Sequence, residues 1–242
     1  MIKATHYVIG YNKYISKSLR VKVEAYYQDL YDIPVENDPN SSYTTLNEGL
    51  ELNYVSLVNE GTGKNYGVEL TLERFLDNGF YFLFNTSLYE SKYTALDGVE
   101  RNTRFNGNYI FNALAGKEYT GLGKNTNQIF AVNIKAFFGG GRNSLPLLRE
   151  TNGNLAVDVE NGLIFDNAKA YENKLDNLMN ITFSVSYKWN KKKTTHELFL
   201  NIDNLTNSQA RLREYYDVDE PTGIAYEQQF GILPNFLYRI YF

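Results

Sequence analysis

The sequence predicts an all-β chain of about nine long antiparallel strands, and three observations carry that expectation. Apolar and polar residues alternate with period two through run after run. The chain holds 21 Tyr and 15 Phe against five Pro, and aromatic residues favour strands. Connections alternate strictly between short and long, so all the long ones gather at one end of the sheet.

The strands follow in order. The first covers 5–15, which the chain enters almost at once; "MIKATHYVIGYNKYI" has no charged segment, apolar segment and cleavage site, so it is not a signal peptide. After "SKS" (16–18) comes 19–33, with Leu19, Val21, Val23, Ala25 and Tyr27 opposite Arg20, Lys22, Glu24, Tyr26 and Gln28. A long connection (34–53) leads to 54–76, where Val68, Leu70 and Leu72 alternate with Gly67, Glu69, Thr71 and Glu73. "DNG" (77–79) turns into 79–93, with Phe80, Phe82, Phe84 and Leu88 opposite Asn85 and Ser87. The connection 94–104 precedes 105–119, "TGLGK" (120–124) precedes 125–138, and the longest connection runs over 139–170. In 171–189, Ile181, Phe183, Val185, Tyr187 and Trp189 interleave with Thr182, Ser184, Ser186 and Lys188. "NKKK" (190–193) leads to 193–204, with Leu198, Leu200 and Ile202 opposite Glu197, Asn201 and Asp203. A last long connection (205–225) reaches 226–242, where Phe236, Tyr238, Ile240 and Phe242 share one phase and Asn235 and Arg239 the other.

Strands this long exceed the five or six residues usual in globular sheets and match the roughly 9–11 needed to cross a bilayer at a tilt. Short turns at one end and long loops at the other are the asymmetry of outer-membrane barrels. A mean hydropathy of −0.42 does not contradict this, because a barrel alternates rather than concentrates its apolar residues. The expected architecture is an antiparallel transmembrane β-barrel portion. Ile181, Phe183, Val185, Tyr187, Phe80, Phe82, Val68 and Leu70 are then expected to face lipid, and Glu69, Glu73, Asn201, Asp203, Ser184 and Lys188 the lumen. Nine is an odd number, whereas single-chain bacterial barrels have even numbers of strands, so a larger barrel is implied.

Several motifs taken together then resemble a known family. "LVNEGTGKNYGVELTLERFLDNGFYFLFNTSLYESKY" (57–93), "RNTRFNGNYIFNALAGKEY" (101–119), "THELFLNIDNLTNSQAR" (195–211) and terminal "YRIYF" (238–242) resemble, in this order, the late barrel of TonB-dependent outer-membrane receptors. The resemblance, to SusC-like and other ligand-gated importers, covers essentially all 242 residues. It implies a barrel of about 22 strands around an N-terminal plug, of which the last nine lie here. The expected organisation is one C-terminal barrel part over residues 1–242, with the plug, the TonB box and about thirteen strands absent.

The resemblance further implies import of a scarce nutrient, whether siderophore, cobalamin-like, glycan or peptide, across the outer membrane of a Gram-negative bacterium. Expected partners are outer-membrane lipid, the barrel-assembly machinery, the remaining barrel and plug, TonB through that plug, and the ligand. Phe236, Tyr238, Ile240 and Phe242 resemble the signal read by the assembly machinery. Ligand contacts are expected on outer loops, with Tyr43, Arg142, Arg149, Tyr215 and Tyr216 as candidates.

Composition excludes other chemistries. A net charge of −4 disfavours nucleic acid. The absence of Cys removes thiolate sites, and His6 and His196 alone furnish little for a metal site or triad. Glu69 with Glu73 reads as a solvated strand face, and Asp217, Asp219 and Glu220 as part of a loop, so no catalytic set assembles. "FFGGGRNS" (137–144) lacks the Lys-Ser/Thr of a phosphate-binding loop and reads as a strand exit where Gly permits unusual backbone angles. "NLT" (204–206) is a chance sequon in a bacterial barrel. "TNGNLAVDVENG" (151–162) lacks the spacing of a calcium loop, and His196 reads as part of a charged turn beside Lys191, Lys192 and Lys193. The expectation is therefore no enzyme and no cofactor. The rival reading is a self-contained surface β protein that binds or adheres.

Overall fold

The computed structural model describes residues 1–48, 55–121, 128–151, 154–158 and 162–242. Nine long strands make one antiparallel meander: β1 (Lys3–Tyr14), β2 (Leu19–Glu36), β3 (Leu57–Asp77), β4 (Phe80–Thr94), β5 (Tyr109–Thr120), β6 (Gln128–Gly139), β7 (Leu178–Asn190), β8 (Thr195–Asp203) and β9 (Leu233–Tyr241). Each pairs with the next in chain order, and Glu100–Asn102 pairs with the end of β4. The sheet is open among the described residues, since β1 and β9 each have one neighbour.

The strand expected over 105–119 begins at Tyr109, and two others start later still. β7 begins at Leu178 rather than 171, because Asn173–Lys174 pairs instead with Asn143–Ser144. The polar run 172–177 has no alternating apolar phase to hold it in the main sheet. β9 begins at Leu233 rather than 226, because Ile224–Gln228 forms a separate hairpin with Arg211–Tyr216. Phe242 lies just past β9 and is fully exposed.

Register carries each strand's alternation across the sheet. One continuous row runs Val21, Leu72, Phe84, Ala113, Ala136, Ile181. Another runs Phe82, Ala115, Ile134, Phe183, Ile202, Pro234. The opposite phase is polar: Gly116, Asn133, Ser184, Asn201 and Asn235 form one row, and Glu24, Glu69 and Ser87 another. The polar face ties itself together, with Arg20 to Glu73 at 2.5 Å, Asn112 to Asn85 at 3.2 Å and Tyr81 to Asn133. The apolar face is left uncovered; Val68 is 51% exposed and Leu88 54%.

Local chemistry sets the turns. Asn78 and Gly79 both take left-handed backbone (φ 52° and 72°), the requirement of a tight two-residue hairpin. In the first turn the Leu19 N–H donates to Ser16 Oγ at 3.2 Å, and at the last the Lys191 N–H donates to the Thr194 carbonyl at 2.7 Å. Most of "TGLGK" lies outside the described residues. His196 departs from its reading as part of a charged turn. It stacks on Trp189 with centroids 5.2 Å apart, and its Nδ1 is 2.7 Å from the Tyr238 hydroxyl, all on the apolar phase.

The packed apolar core sits at the opposite end, where the long connections fold over the strand ends. Val35, Tyr93 and Ala95 are buried against Leu46, Val58 and Tyr171. The Tyr93 hydroxyl donates to the Ser42 carbonyl at 2.9 Å, which fastens one connection to the next strand pair. The glycines of "FFGGGRNS" serve this packing rather than unusual angles, since none of Gly139, Gly140 and Gly141 has positive φ. A Cβ on Gly140 would overlap the Gly107 carbonyl oxygen, and one on Gly141 the Leu175 carbonyl oxygen.

Backbone cannot yield as a flexible side chain can, so Gly140→Ala should cost about 3 kcal/mol, the upper end for overpacking. Gly98→Ala meets nothing within 4 Å and pays only for its φ of +72°, about 1–2 kcal/mol. Denaturant unfolding of the two variants checks the order; an equal or reversed ranking would sink the close-approach account.

Candidate functional site

The long connections converge because buried polar groups aim at backbone. Asn143 is 5% exposed, and its side-chain amide donates to the carbonyls of Thr103 and Asn106, each at 3.1 Å. The Asn143 N–H donates to the Arg104 carbonyl at 2.9 Å, and the Leu175 N–H to the Arg142 carbonyl at 2.9 Å. The Arg104 N–H donates to Asn47 Oδ1 at 2.7 Å. Lys174 Nζ donates to the Gly107 carbonyl at 3.3 Å and to Asn108 Oδ1 at 2.6 Å. Residues 103–108, 142–144 and 173–175 are thereby held as one body through main chain, which leaves the Arg104 and Arg142 side chains available.

The hairpin 211–216/224–228 closes another side. Asp176 accepts from the Arg211 N–H (3.0 Å), Nε (2.8 Å) and Nη2 (2.7 Å), a two-pronged fork plus a backbone bond. The Arg211 guanidinium also lies over the Tyr226 ring, 5.0 Å from its centroid. This fork holds the Asp176 carboxyl down at about 2 and pushes the guanidinium up. The hairpin is therefore fastened by its base, with Leu212, Arg213 and Glu214 beyond the fastening.

Between these bodies lies a cavity of about 230 Å³, lined by Arg104, Arg142, Asn143, Ser144, Leu145, Phe165, Tyr171, Leu175, Leu212, Arg213 and Glu214. A second pocket of about 90 Å³ shares Arg142, Leu175 and Leu212 and adds Asp176, Arg211 and Leu178. Arg142 sits over the Phe105 ring at 5.8 Å, which orients the guanidinium without using its N–H groups. Burial pushes the Tyr171 hydroxyl up to about 12, against the pull of Arg104, so it stays a neutral donor. Among the described residues, the salt bridges that involve arginine are those of Arg20, Arg74, Arg101, Arg211 and Arg239. Arg104, Arg142 and Arg213 line the cavity and form no salt bridge among the described residues.

Of the residues named from sequence, Arg142 lines this cavity. Tyr43, Arg149, Tyr215 and Tyr216 lie at the same end of the sheet but outside its lining. The Tyr43 N–H donates to Ser41 Oγ, Arg149 bridges to Leu155, and Tyr215 and Tyr216 lie exposed on the hairpin. Phe236, Tyr238 and Ile240 lie on the apolar phase of β9, opposite Leu200, Leu198 and His196. Arg104, Tyr171, Arg213 and Glu214 are lining residues that sequence reading missed. Arg213 and Glu214 directly precede Tyr215 and Tyr216 on the same hairpin strand. "TNGNLAVDVENG" lies partly outside the described residues, and no group of three or more His, Cys, Asp or Glu suited to a metal occurs among the described ones.

No family model matches the chain, and no curated protein matches it. Among solved structures, it is similar to the ferric yersiniabactin uptake receptor FyuA from Yersinia pestis, with a TM-score of 0.62 at 13% identity. That similarity covers 100% of this chain and 30% of the receptor chain, so the 242 residues span under a third of that protein. The fold is that of part of an antiparallel β-barrel. At this identity the likeness speaks for the fold alone.

The Asp176 fork makes a prediction about pH. Because the folded-state carboxyl lies below its unfolded value of about 3.9, the fork's contribution is complete above that pH. It is lost only as pH falls through about 2. Protease cleavage within 211–228 should hence be unchanged from pH 8 down to pH 5. Asp176→Asn should raise cleavage there several-fold at pH 7, and an unaffected variant would refute the fastening role.

Proposed function

We propose that the chain is the C-terminal part of a TonB-dependent outer-membrane receptor that binds a scarce nutrient outside and imports it. One observation carries the reading: nine long strands share a single apolar face that remains uncovered, opposite a hydrogen-bonded polar face. In water such a face would be a liability. In a bilayer it is the lipid-facing wall, and the polar face lines a lumen. The full-length overlap with part of a solved uptake receptor supports the same reading. The stack of Trp189, His196 and Tyr238 by the tight turns suits a membrane interface, where aromatic rings with a polar edge settle.

In this reading residues 1–242 form barrel wall and outer loops. The remaining strands, a plug and its link to TonB belong to the rest of a longer polypeptide. The loop end is the outer side, and its cavity is one wall of the ligand site. The chain acts as a receptor, with no residue assigned to bond making or breaking. The ligand is a siderophore, cobalamin-like molecule, glycan or peptide.

Fractionation tests the reading. Expressed in a Gram-negative host, the longest natural polypeptide containing these residues should sediment with the outer membrane and migrate faster on gels before boiling than after. A detergent-free soluble monomer with cooperative unfolding would instead favour a self-contained surface β protein.

We further assign Phe236, Tyr238, Ile240 and Phe242 to the assembly signal. They form one apolar phase on and just beyond the last strand, where a barrel-assembly machine could pair with the open edge. Phe242→Ser in that polypeptide should lower outer-membrane levels several-fold at unchanged synthesis, by immunoblot of the membrane fraction; normal levels would remove the assignment.

A further inference from the structure

We propose that the loop-end cavity is an oxyanion site, and that the ligand of this receptor carries carboxylate or phosphate groups. The inference rests on the receptor reading and narrows its ligand class.

Charge makes the argument. Among the described residues, Arg104, Arg142 and Arg213 come from three separate connections and line one cavity, whose lining includes a single acid, Glu214, with the Glu48 charge also felt at Tyr171. Five other arginines form ion pairs: Arg20 with Glu73, Arg74 with Asp77, Arg101 with Asp97, Arg211 with Asp176 and Arg239 with Glu197. Three guanidinium-bearing residues around one cavity carry like charge, a repulsion that an anion offsets. Guanidinium presents a planar fork that matches carboxylate and phosphate oxygens in pairs.

Preorganisation strengthens the case. The backbone of Arg104 is held by Asn47 and Asn143, and that of Arg142 by Leu175. The Phe105 ring supports the Arg142 guanidinium from its face and leaves the N–H edges open. Arg213 is carried by the hairpin that Asp176 fastens two residues earlier. None of these contacts consumes the side-chain donors, so the donors wait for a ligand.

Position separates a free anion from a lipid headgroup. Leu178, which lines the adjoining pocket, shares its strand phase with Thr182, Ser184 and Lys188. That phase belongs to the polar face. A headgroup site would open on the apolar side, beside Met179 or Phe138. About 230 Å³ holds an anionic group of modest size, with the remainder of the ligand extending beyond this chain.

The test uses the longest natural polypeptide, purified in detergent and shown to be folded by its heat-modifiable migration. Citrate and pyrophosphate serve as carboxylate and phosphate probes and maltotriose as a neutral one, with binding followed by calorimetry at two salt concentrations. One or both anions should bind, more weakly at high salt, and maltotriose should not. Arg142→Gln and Arg213→Gln should each weaken anion binding about tenfold or more, as expected for a lost charge-assisted bond. Glu214→Gln should tighten it, an effect that a purely structural role for these side chains would not produce. A folded barrel that binds neither anion, or whose anion binding ignores all three variants, overturns the oxyanion site while the receptor reading stands. Anion binding by a protein that proves soluble and monomeric would keep the site and remove the receptor. Anionic vesicles competing with the probes would overturn the assignment to a free ligand.

Discussion

Everything in this molecule depends on a common register of the backbone ladder across nine strands. Side chains alternate with period two, so a slip of one residue in any pair would send that strand's apolar set to the polar face. Rows such as Val21, Leu72, Phe84, Ala113, Ala136 and Ile181 exist only because every pair keeps step. The sheet has no conventional core to fall back on. Its buried apolar residues are few, several are alanines, and the main cluster lies at the loop end. Exposed ion pairs contribute about 0–1 kcal/mol each and cross-strand pairs about 0.2–1 kcal/mol. Neither can replace the burial that an uncovered apolar face still lacks, so the structure needs an apolar medium or partner against it.

The loop end obeys a different rule. There the chain is ordered by side chains that reach backbone: Asn143 to two carbonyls, Asn47 to one N–H, Tyr93 to Ser42, Asp176 to Arg211. Such bonds fix main-chain position and spend little of the charged side-chain inventory. That division of labour lets arginines stand unpaired around a cavity while the loops carrying them stay fixed. The glycines at 140 and 141 belong to the same device, since they let the connection pass close to the Gly107 and Leu175 carbonyls.

Legibility in the sequence divides along the same line. The strand phases were readable because period two is local: Phe183, Val185 and Tyr187 declare their face without reference to any neighbour. Strand ends were less readable, because the competitors for 171–177 and 226–232 are distant segments. Residue 173 finds its partner at 144 and residue 224 at 216, neither of which periodicity can report. The cavity was nearly invisible for this reason. Arg104, Arg142 and Arg213 lie on three connections separated by tens of residues, and of these only Arg142 drew attention, as a basic residue on a long connection. His196 misled because its sequence neighbours are lysines, whereas its neighbours across the strands are Trp189 and Tyr238.

The last strand shows how register is fixed where the sheet is thinnest. β9 has a single neighbour, so only contacts with β8 and beyond can stop it sliding. On the polar face Glu197, with a side chain 5% exposed, takes Lys188 at 3.4 Å, Arg239 at 3.2 Å and the Tyr241 hydroxyl at 2.9 Å. On the apolar face the Tyr238 ring stacks with His196 and Trp189. A shift by two residues keeps the faces and most of the ladder, so hydrophobicity alone would tolerate it. It would pull Arg239 and Tyr241 from a buried carboxylate, however, leaving it Lys188 alone, and a lost hydrogen bond to a charged group costs about 1.5–3 kcal/mol. The same shift would break the aromatic stack. Alternation selects the face of the final strand, and these paired devices on its two sides select the residue.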